Sequence, residues 1–417
     1  MHCKFLSCIP LWLATILLCV SAPTLSQTNG TWFTRAPLPT PRQEIPHAVL
    51  QGKIYVPGGL RSGGVATNTI EVFEPVTNQW STAPSLPLMM HHLHFAAANG
   101  RLYVLGGYSG NSFAATARVF EFNFAANSWS EKMAMPAARG AGVAVAYGEK
   151  IYVIGGVSSS GAVVSTNQVY DPRANNWHTL AAMPTPREHL AAVVIDSLIY
   201  VIGGRDFSAI GNTARLEAYS PATNRWYTLA SMPTARGGLA AAALHGKLYV
   251  FGGEIPGVFD EVEEYDPRSN TWQSLPPMPA PRHGVGAVTV GDTIFIIGGA
   301  LQEGLGVSSI TSGFTISAPS EVAETERELP RTYTLLQNYP NPFNASTLIR
   351  FGVPQPSHVT LKIFNAIGQE KATLVDGQVA AGWHAVSWHA AEAPSGVYFC
   401  RFQSGEVTQT MKLILLR

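Results

Sequence analysis

The chain of 417 residues is poor in charge and in cysteine, and each shortage excludes a class of function. Charged side chains make up 13% of it and cancel to a formal net charge of zero. So thin and balanced a supply builds no basic face, so nucleic acid is not an expected partner. The four cysteines are Cys3, Cys8, Cys19 and Cys400, and the first three fall in an N-terminal stretch that reads as a leader. A mature chain with Cys400 alone has no disulfide, and a domain large enough to stand on packing needs none. A G-x-S-x-G nucleophile elbow and a phosphate-cradling glycine loop are both missing. The apolar run from Phe5 to Val20, about 16 residues, is short for a bilayer span. With Lys4 ahead of it and Val20-Ser21-Ala22 or Thr24-Leu25-Ser26 behind, it predicts a secretory signal over residues 1–26, cleaved between Ala22 and Ser26. Leu18 stands before Cys19 where lipid-attachment sites carry a small residue, which argues against a lipoprotein.

What the chain does have is a beat. Diglycines begin at Gly58, Gly106, Gly155, Gly203, Gly252 and Gly298, each 26 positions after a tryptophan: Trp32, Trp80, Trp129, Trp177, Trp226 and Trp272. An aromatic residue (Phe73, Phe122, Tyr170, Tyr219, Tyr265) sits seven positions before the next tryptophan, and an arginine (Arg42, Arg139, Arg187, Arg236, Arg282) ten after one, with Met90 breaking the register. A period of 46 to 49 residues signals a repeat architecture. Each period reads as four short strands: a small apolar strand after the arginine, a tight turn such as Asn99-Gly100, a strand ending in the diglycine, one ending at the aromatic, and the tryptophan strand.

These residues resemble the kelch repeat, with its arginine-led strand, IYV-GG, VEVYDP and tryptophan strand. The resemblance covers about residues 30–317 and implies an all-β fold, a six-bladed kelch β-propeller. The last repeat has Phe314 but Glu321 in the tryptophan place, while Trp32 precedes the first diglycine. The N-terminal strand is therefore expected to complete the last blade and hide an open edge. Kelch propellers include oxidases whose copper-bound tyrosine is cross-linked to cysteine; these repeats hold no cysteine, so that cofactor cannot form. No metal and no other cofactor is expected, and the chain is read as a monomer.

The segment 318–332 is charged and poor in apolar residues, as a linker is. From 333 to 417 short alternating strands predict a small immunoglobulin-like β-sandwich. Here QNYPNPFN at Gln337 to Asn344, LKIFNAIGQ, SGVY and the terminal MKLILLR resemble the C-terminal sorting domain of the type IX secretion system. That resemblance implies passage through the periplasm to the outside or the outer-membrane surface, with the secretion machinery as partner.

The loops after the diglycines are long and unlike one another, and variable loops on a rigid scaffold are where recognition sits. Kelch relatives bind ligands on this face, near the channel mouth. The positions that follow the diglycines single out Arg205 and Glu254, with Arg61, Tyr108 and Asp206 beside them, as candidate ligand-binding residues. The register arginines have a competing structural role, bonding backbone carbonyls between blades. His91, His92 and His94 form the one dense histidine cluster; strand alternation puts His92 and His94 on one side, a spacing that can bind zinc, but no neighbouring carboxylate or cysteine in the sequence completes a ligand set. Three functions stay open: a non-catalytic module binding a glycan or protein, a sugar isomerase or mutarotase using Glu254, Glu188, Asp206 or Arg205 for acid–base work, or a structural module whose propeller only stabilises a larger surface assembly.

Overall fold

A computed structural model describes residues 30–206, 211–316, 330–338, 341, 343, 346–390 and 393–415; the leader at 1–26 and residues 317–329 of the linker region lie outside the described residues. Each repeat forms one antiparallel sheet whose strands pair in sequence order. The first runs Ala48–Leu50, Lys53–Pro57, Ile70–Glu74 and Gln79–Ala83. In the sixth sheet Gly286–Val290, Thr293–Ile297 and Thr311–Ile316 come from the last repeat, and the fourth place is taken by Gly30–Thr34. Trp32 lies opposite Phe314, as Trp80 lies opposite Phe73 in the first sheet.

Six apolar clusters fill the gaps between neighbouring sheets. One joins the last sheet to the first through Ile54, Val56, Phe73, Phe295 and Ile297. The innermost strands, Ala48–Leu50, His94–Ala98, Val143–Tyr147, Ala191–Ile195, Ala240–Leu244 and Gly286–Val290, touch in that cyclic order, the sixth against the first. Their small residues fit this position because inner strands converge on one another. At the periphery each tryptophan closes a link to the preceding sheet: Trp80 Nε1 donates to the Ala36 carbonyl at 2.9 Å, Trp226 to Ala181 at 2.8 Å, and Trp32 to Pro276 at 3.2 Å. The diglycines dock the sheets in the same sense. Gly252 has φ +58°, and a Cβ there would lie 2.1 Å from the Arg282 carbonyl oxygen of the next repeat. Gly253 donates its N–H to that same carbonyl at 3.0 Å, so no side chain can be accommodated.

The register arginines are at most 1% exposed, and their partners correct the sequence reading: the carbonyls they bond belong to their own sheet, not to a neighbouring one. Arg187 donates to Glu217 at 2.8 Å and to the Gly203 and Arg215 carbonyls; Arg42 pairs with Glu71 and donates to the Val56 carbonyl. Each arginine thus ties its loop to the second and third strands. Arg139 and Arg282 face Gln168 and Ser312 instead of a carboxylate, and burial pulls both guanidinium groups down to about 10.

The C-terminal residues form two sheets. Thr334–Leu335, Ser346–Val353 and Gly382–His389 make one, and Glu370–Val379, Ser357–Asn365, Gly396–Ser404 and Val407–Leu415 the other. They share an apolar core that includes Phe351, Leu361, Trp388 and Phe402. Cys400 is buried in it, its thiol pushed up to about 12 by burial, which keeps it unreactive. Gln337 and Asn341 both donate to the Lys412 carbonyl at 3.1 Å, and the Ile414 N–H donates to Asn341 at 2.8 Å. The polar box therefore grips the final strand by its backbone.

Arg187→Met strands the Glu217 carboxylate and should cost about 3–5 kcal/mol in denaturant unfolding. The double variant Arg187→Met/Glu217→Gln should lose distinctly less; a loss as large as the sum of the singles would remove the ion pair from the account. His47 has both ring nitrogens buried, and burial, with the Arg42 charge added, lowers its pKa to about 3. The unfolded chain then takes up this proton first, so the His47 contribution is complete above pH ~6.5 and drains as pH falls toward about 3. A His47→Gln variant should show a shallower loss of stability between pH 6 and 4, by up to ~1.4 kcal/mol per pH unit. Parallel profiles would count against it.

Candidate functional site

The site is built on a circle of main-chain hydrogen bonds. The residue two positions after each register place donates its N–H to the carbonyl of its counterpart in the adjoining repeat: Glu44 to Gly284 (2.8 Å), Gly284 to Gly238 (2.9 Å), Gly238 to His189 (2.9 Å), His189 to Ala141 (2.8 Å), Ala141 to His92 (3.1 Å) and His92 to Glu44 (3.4 Å). All six have left-handed backbone, with φ of 53° at Glu44, 48° at His92, 56° at Ala141 and 50° at His189. Outside this circle, the preceding residue pairs in antiparallel fashion with the one after the diglycine: Gln43 with Leu60, His91 with Tyr108, Gly140 with Val157, Glu188 with Arg205, Gly237 with Glu254, His283 with Ala300. The backbone repeats, but the side chains it carries do not.

A cavity of about 360 Å³ opens over this circle, lined by Gln43, Glu44, Leu60, His92, Tyr108, Phe113, Val157, Val163, Glu188, His189, Arg205, Glu254 and Leu305 among others. Below it lies a second, smaller space along the inner strands, which shares Glu44, His92 and His189 with the first. Those three side chains form the neck between the two. Phe113 and Leu305, 65% and 55% exposed, stand at the rim; the Phe113 ring contacts His91, His92 and Tyr108 with centroids 5.1 to 5.6 Å apart.

The polar floor is one connected network. Arg205 Nε donates to Glu188 at 2.6 Å and its guanidinium to Glu254 at 2.7 Å. Glu188 also accepts from His189 Nδ1. The His189 Nε2 lies 3.7 Å and the His92 Nε2 3.4 Å from Glu44 Oε2, while His283 lies 3.9 Å from Glu44 and 3.4 Å from Glu254. Burial pushes the Glu188 carboxyl up, but His189 and Arg205 outweigh it and hold the group below its ordinary range. Burial pulls the His189 imidazole down, and Glu188 and Glu44 more than reverse this, so it is raised. His92 is well below its ordinary value through burial, with the charges of His189 and His91 adding to the effect. Tyr108 is pushed up to about 12 by burial and by Glu188 and Glu44.

Of the residues selected from sequence, Arg205, Glu254 and Tyr108 come together in this cavity. Arg61 is exposed in a two-residue strand, and Asp206 lies half-buried next to Arg205; neither lines the cavity. Arg205 and Glu254 are 8% and 5% exposed and paired, so they serve the loop scaffold as well as the cavity. His92 and His94 do not share a side. The left-handed turn at His92 breaks strand alternation, sending His92 to the neck and His94 into the sheet, where its Nδ1 bonds the Leu105 carbonyl at 2.5 Å. Sequence reasoning missed Glu44, His189 and Phe113. For the first two a signal existed: they stand two places after Arg42 and Arg187, where Gly238 and Gly284 stand in other repeats.

Comparisons with known proteins agree with this architecture. Residues 91–299 match the KLHDC2/KLHL20/DRC7 Kelch-repeats domain, residues 41–87 the Kelch motif, and residues 337–416 the secretion system C-terminal sorting domain. A solved structure described as "Structure of YjhT" is similar with a TM-score of 0.59 at 18% sequence identity, over 66% of this chain and 95% of that one, which shows a shared fold. No curated protein matches the sequence. Among the described residues no helix is long and apolar enough to cross a membrane. The chain belongs to the kelch-repeat family and ends in a type IX sorting domain, which implies secretion or a place at the cell surface.

Proposed function

We propose that this protein is an exported six-bladed kelch propeller, closed by its N-terminal strand, that binds a glycan or a protein segment non-catalytically in the mouth cavity. Six sheets with cyclic contacts and the pairing of Trp32 with Phe314 support the blade count. The two C-terminal sheets with their shared core support an immunoglobulin-like sandwich as the sorting unit, and the leader at 1–26 supports entry into the periplasm.

The observation that carries the binding reading is the division of the mouth. An exposed aromatic and aliphatic rim, Phe113 and Leu305, stands over a buried floor of fixed acceptors and donors. An apolar platform with a few convergent polar groups is the ordinary make-up of a small-ligand site, and a sugar ring presents an apolar face for stacking with hydroxyls at its edge. Arg205, held between two carboxylates, is pre-oriented and already neutralised, which suits a neutral ligand better than a strongly acidic one.

A second reading has its own support. Glu188 and His189 are hydrogen-bonded beside the cavity, and the raised His189 pKa suits a general acid, as a sugar isomerase or mutarotase needs. The lowered Glu188 pKa argues the other way, since a general acid carboxyl is normally raised.

A glycan array probed with the full mature chain tests the main reading, with a mutarotation assay on each hit. Phe113→Ala should leave the melting temperature within a degree or two, the ring being 65% exposed, and weaken binding about tenfold. Binding equal to wild type would move the ligand elsewhere, and turnover of a hit would replace the module with the enzyme. Deleting residues 333–417 should leave the repeats folded but retained in the periplasm; export at the normal level would reject the sorting role.

A further inference from the structure

We propose that Glu44, His92 and His189 form a binding site for a first-row divalent transition metal at the neck of the mouth cavity. One ligand atom from each, a carboxylate oxygen and two imidazole nitrogens, lies within 4.8 Å of both others. A metal held at about 2.0–2.2 Å from oxygen and nitrogen ligands would draw such atoms toward one point. Two imidazoles and one carboxylate fill three of an ion's coordination positions and leave the remainder open. The same three residues line both the mouth cavity and the space below it, so an ion held by them would border both.

The outer partners of the two histidines fix which nitrogen is available. His91 Nε2 lies 3.1 Å from the Ser112 carbonyl, which can only accept, so this nitrogen carries the proton and His91 Nδ1 is an acceptor. His92 Nδ1, 2.6 Å from His91 Nδ1, must then donate, leaving the lone pair of His92 Nε2 turned toward Glu44. His189 Nδ1 donates to Glu188, and its Nε2 likewise faces Glu44. A carboxylate behind a histidine is the arrangement that orients metal-binding imidazoles elsewhere. The His92 lone pair and the Glu44 carboxylate repel one another unless positive charge lies between them, and either a proton on His189 Nε2 or a metal ion supplies it.

Charge supports the same conclusion independently. Glu44, Glu188 and Glu254 supply three negative charges, and Arg205 is the one arginine or lysine among the described residues lining the cavity. Before the imidazoles are counted, the carboxylates of the floor exceed its guanidinium by two, an excess that a divalent ion held by neutral imidazoles would match. His283 adds a buried Nδ1 without a hydrogen-bond partner 3.9 Å from the other Glu44 oxygen, a further sign of an incomplete polar shell. The inference goes beyond the binding reading and does not depend on it, since the ion is recognised by protein atoms alone. If a ligand is bound, the metal offers an anchor for its oxygen atoms.

The test uses the full mature chain, stripped with a chelator and titrated with Co²⁺ as a spectroscopic probe, with Zn²⁺ as competitor. The expected result is a single Co²⁺ per chain with visible d–d bands, displaced by Zn²⁺. Glu44→Gln and His189→Gly should each abolish the bands or weaken uptake by about a hundredfold, while His178→Ala, an exposed histidine, leaves them unchanged. Glycine is suited to position 189 because Gly238 and Gly284 hold the same left-handed place in the circle, and Glu44→Gln is close to isosteric. Absence of d–d bands in the wild type, or bands retained in either site variant, overturns the proposal. Glycan binding is read separately, so failure of either idea is visible without the other.

Discussion

Six main-chain hydrogen bonds passed from repeat to repeat around the centre are the constraint on which the rest of this molecule rests. A bond circle of this kind forms only when every repeat offers a donor and an acceptor at the same height, and that requires left-handed backbone at all six positions. Glycine adopts it without strain at Gly238 and Gly284, but Glu44, His92, Ala141 and His189 do so at a cost. The cost is tolerated because the neighbouring repeats over-determine the geometry: the diglycine of one repeat bonds the arginine carbonyl of the next, and each tryptophan bonds the preceding sheet at the periphery.

The register arginines give each repeat its internal stiffness, and the differences among them are instructive. Arg42, Arg187 and Arg236 meet a carboxylate on the third strand, whereas Arg139 and Arg282 meet neutral partners; burial lowers all five, and only in the first three does a carboxylate work against it. A buried guanidinium therefore suffices when carbonyls satisfy its fork, and the ion pair is an addition to that pattern. In the second repeat Met90 takes the place, and the strand Arg101–Ser109 continues past its diglycine to pair with Met90–His91. The repeat that lost its arginine is also the one that brings His91, His92, Tyr108 and Phe113 into mutual contact at the mouth.

Strain, buried charge and exposed aromatic surface thus coincide in one place. Of the six circle positions, two carry histidine and one glutamate, while the other three carry alanine or glycine and leave room above them. A symmetric backbone that carries large polar side chains at only three of its six places is how a ring of equal parts becomes a directional site. The sorting unit is separate in chemistry: its core is its own, and its polar box holds the final strand by backbone contacts near Lys412 and Ile414.

The sequence by itself determined the repeat, its strand order, the role of diglycine and tryptophan, and the export tail, because these depend on local turn chemistry and on a period that any one repeat displays. It also pointed to Arg205, Glu254 and Tyr108, since a variable residue next to an invariant turn is visible in one dimension. Only the tertiary structure decided that Arg205 is clamped by Glu188 and Glu254, that Arg61 stays outside the cavity, and that His92 parts from His94. The physical reason is that Glu44, His92 and His189 are brought together by ring closure, across separations of 48 to 145 residues, and by a left-handed turn that reverses the alternation a strand would impose. Periodicity fixes which positions are equivalent, but closure alone decides which side chains meet.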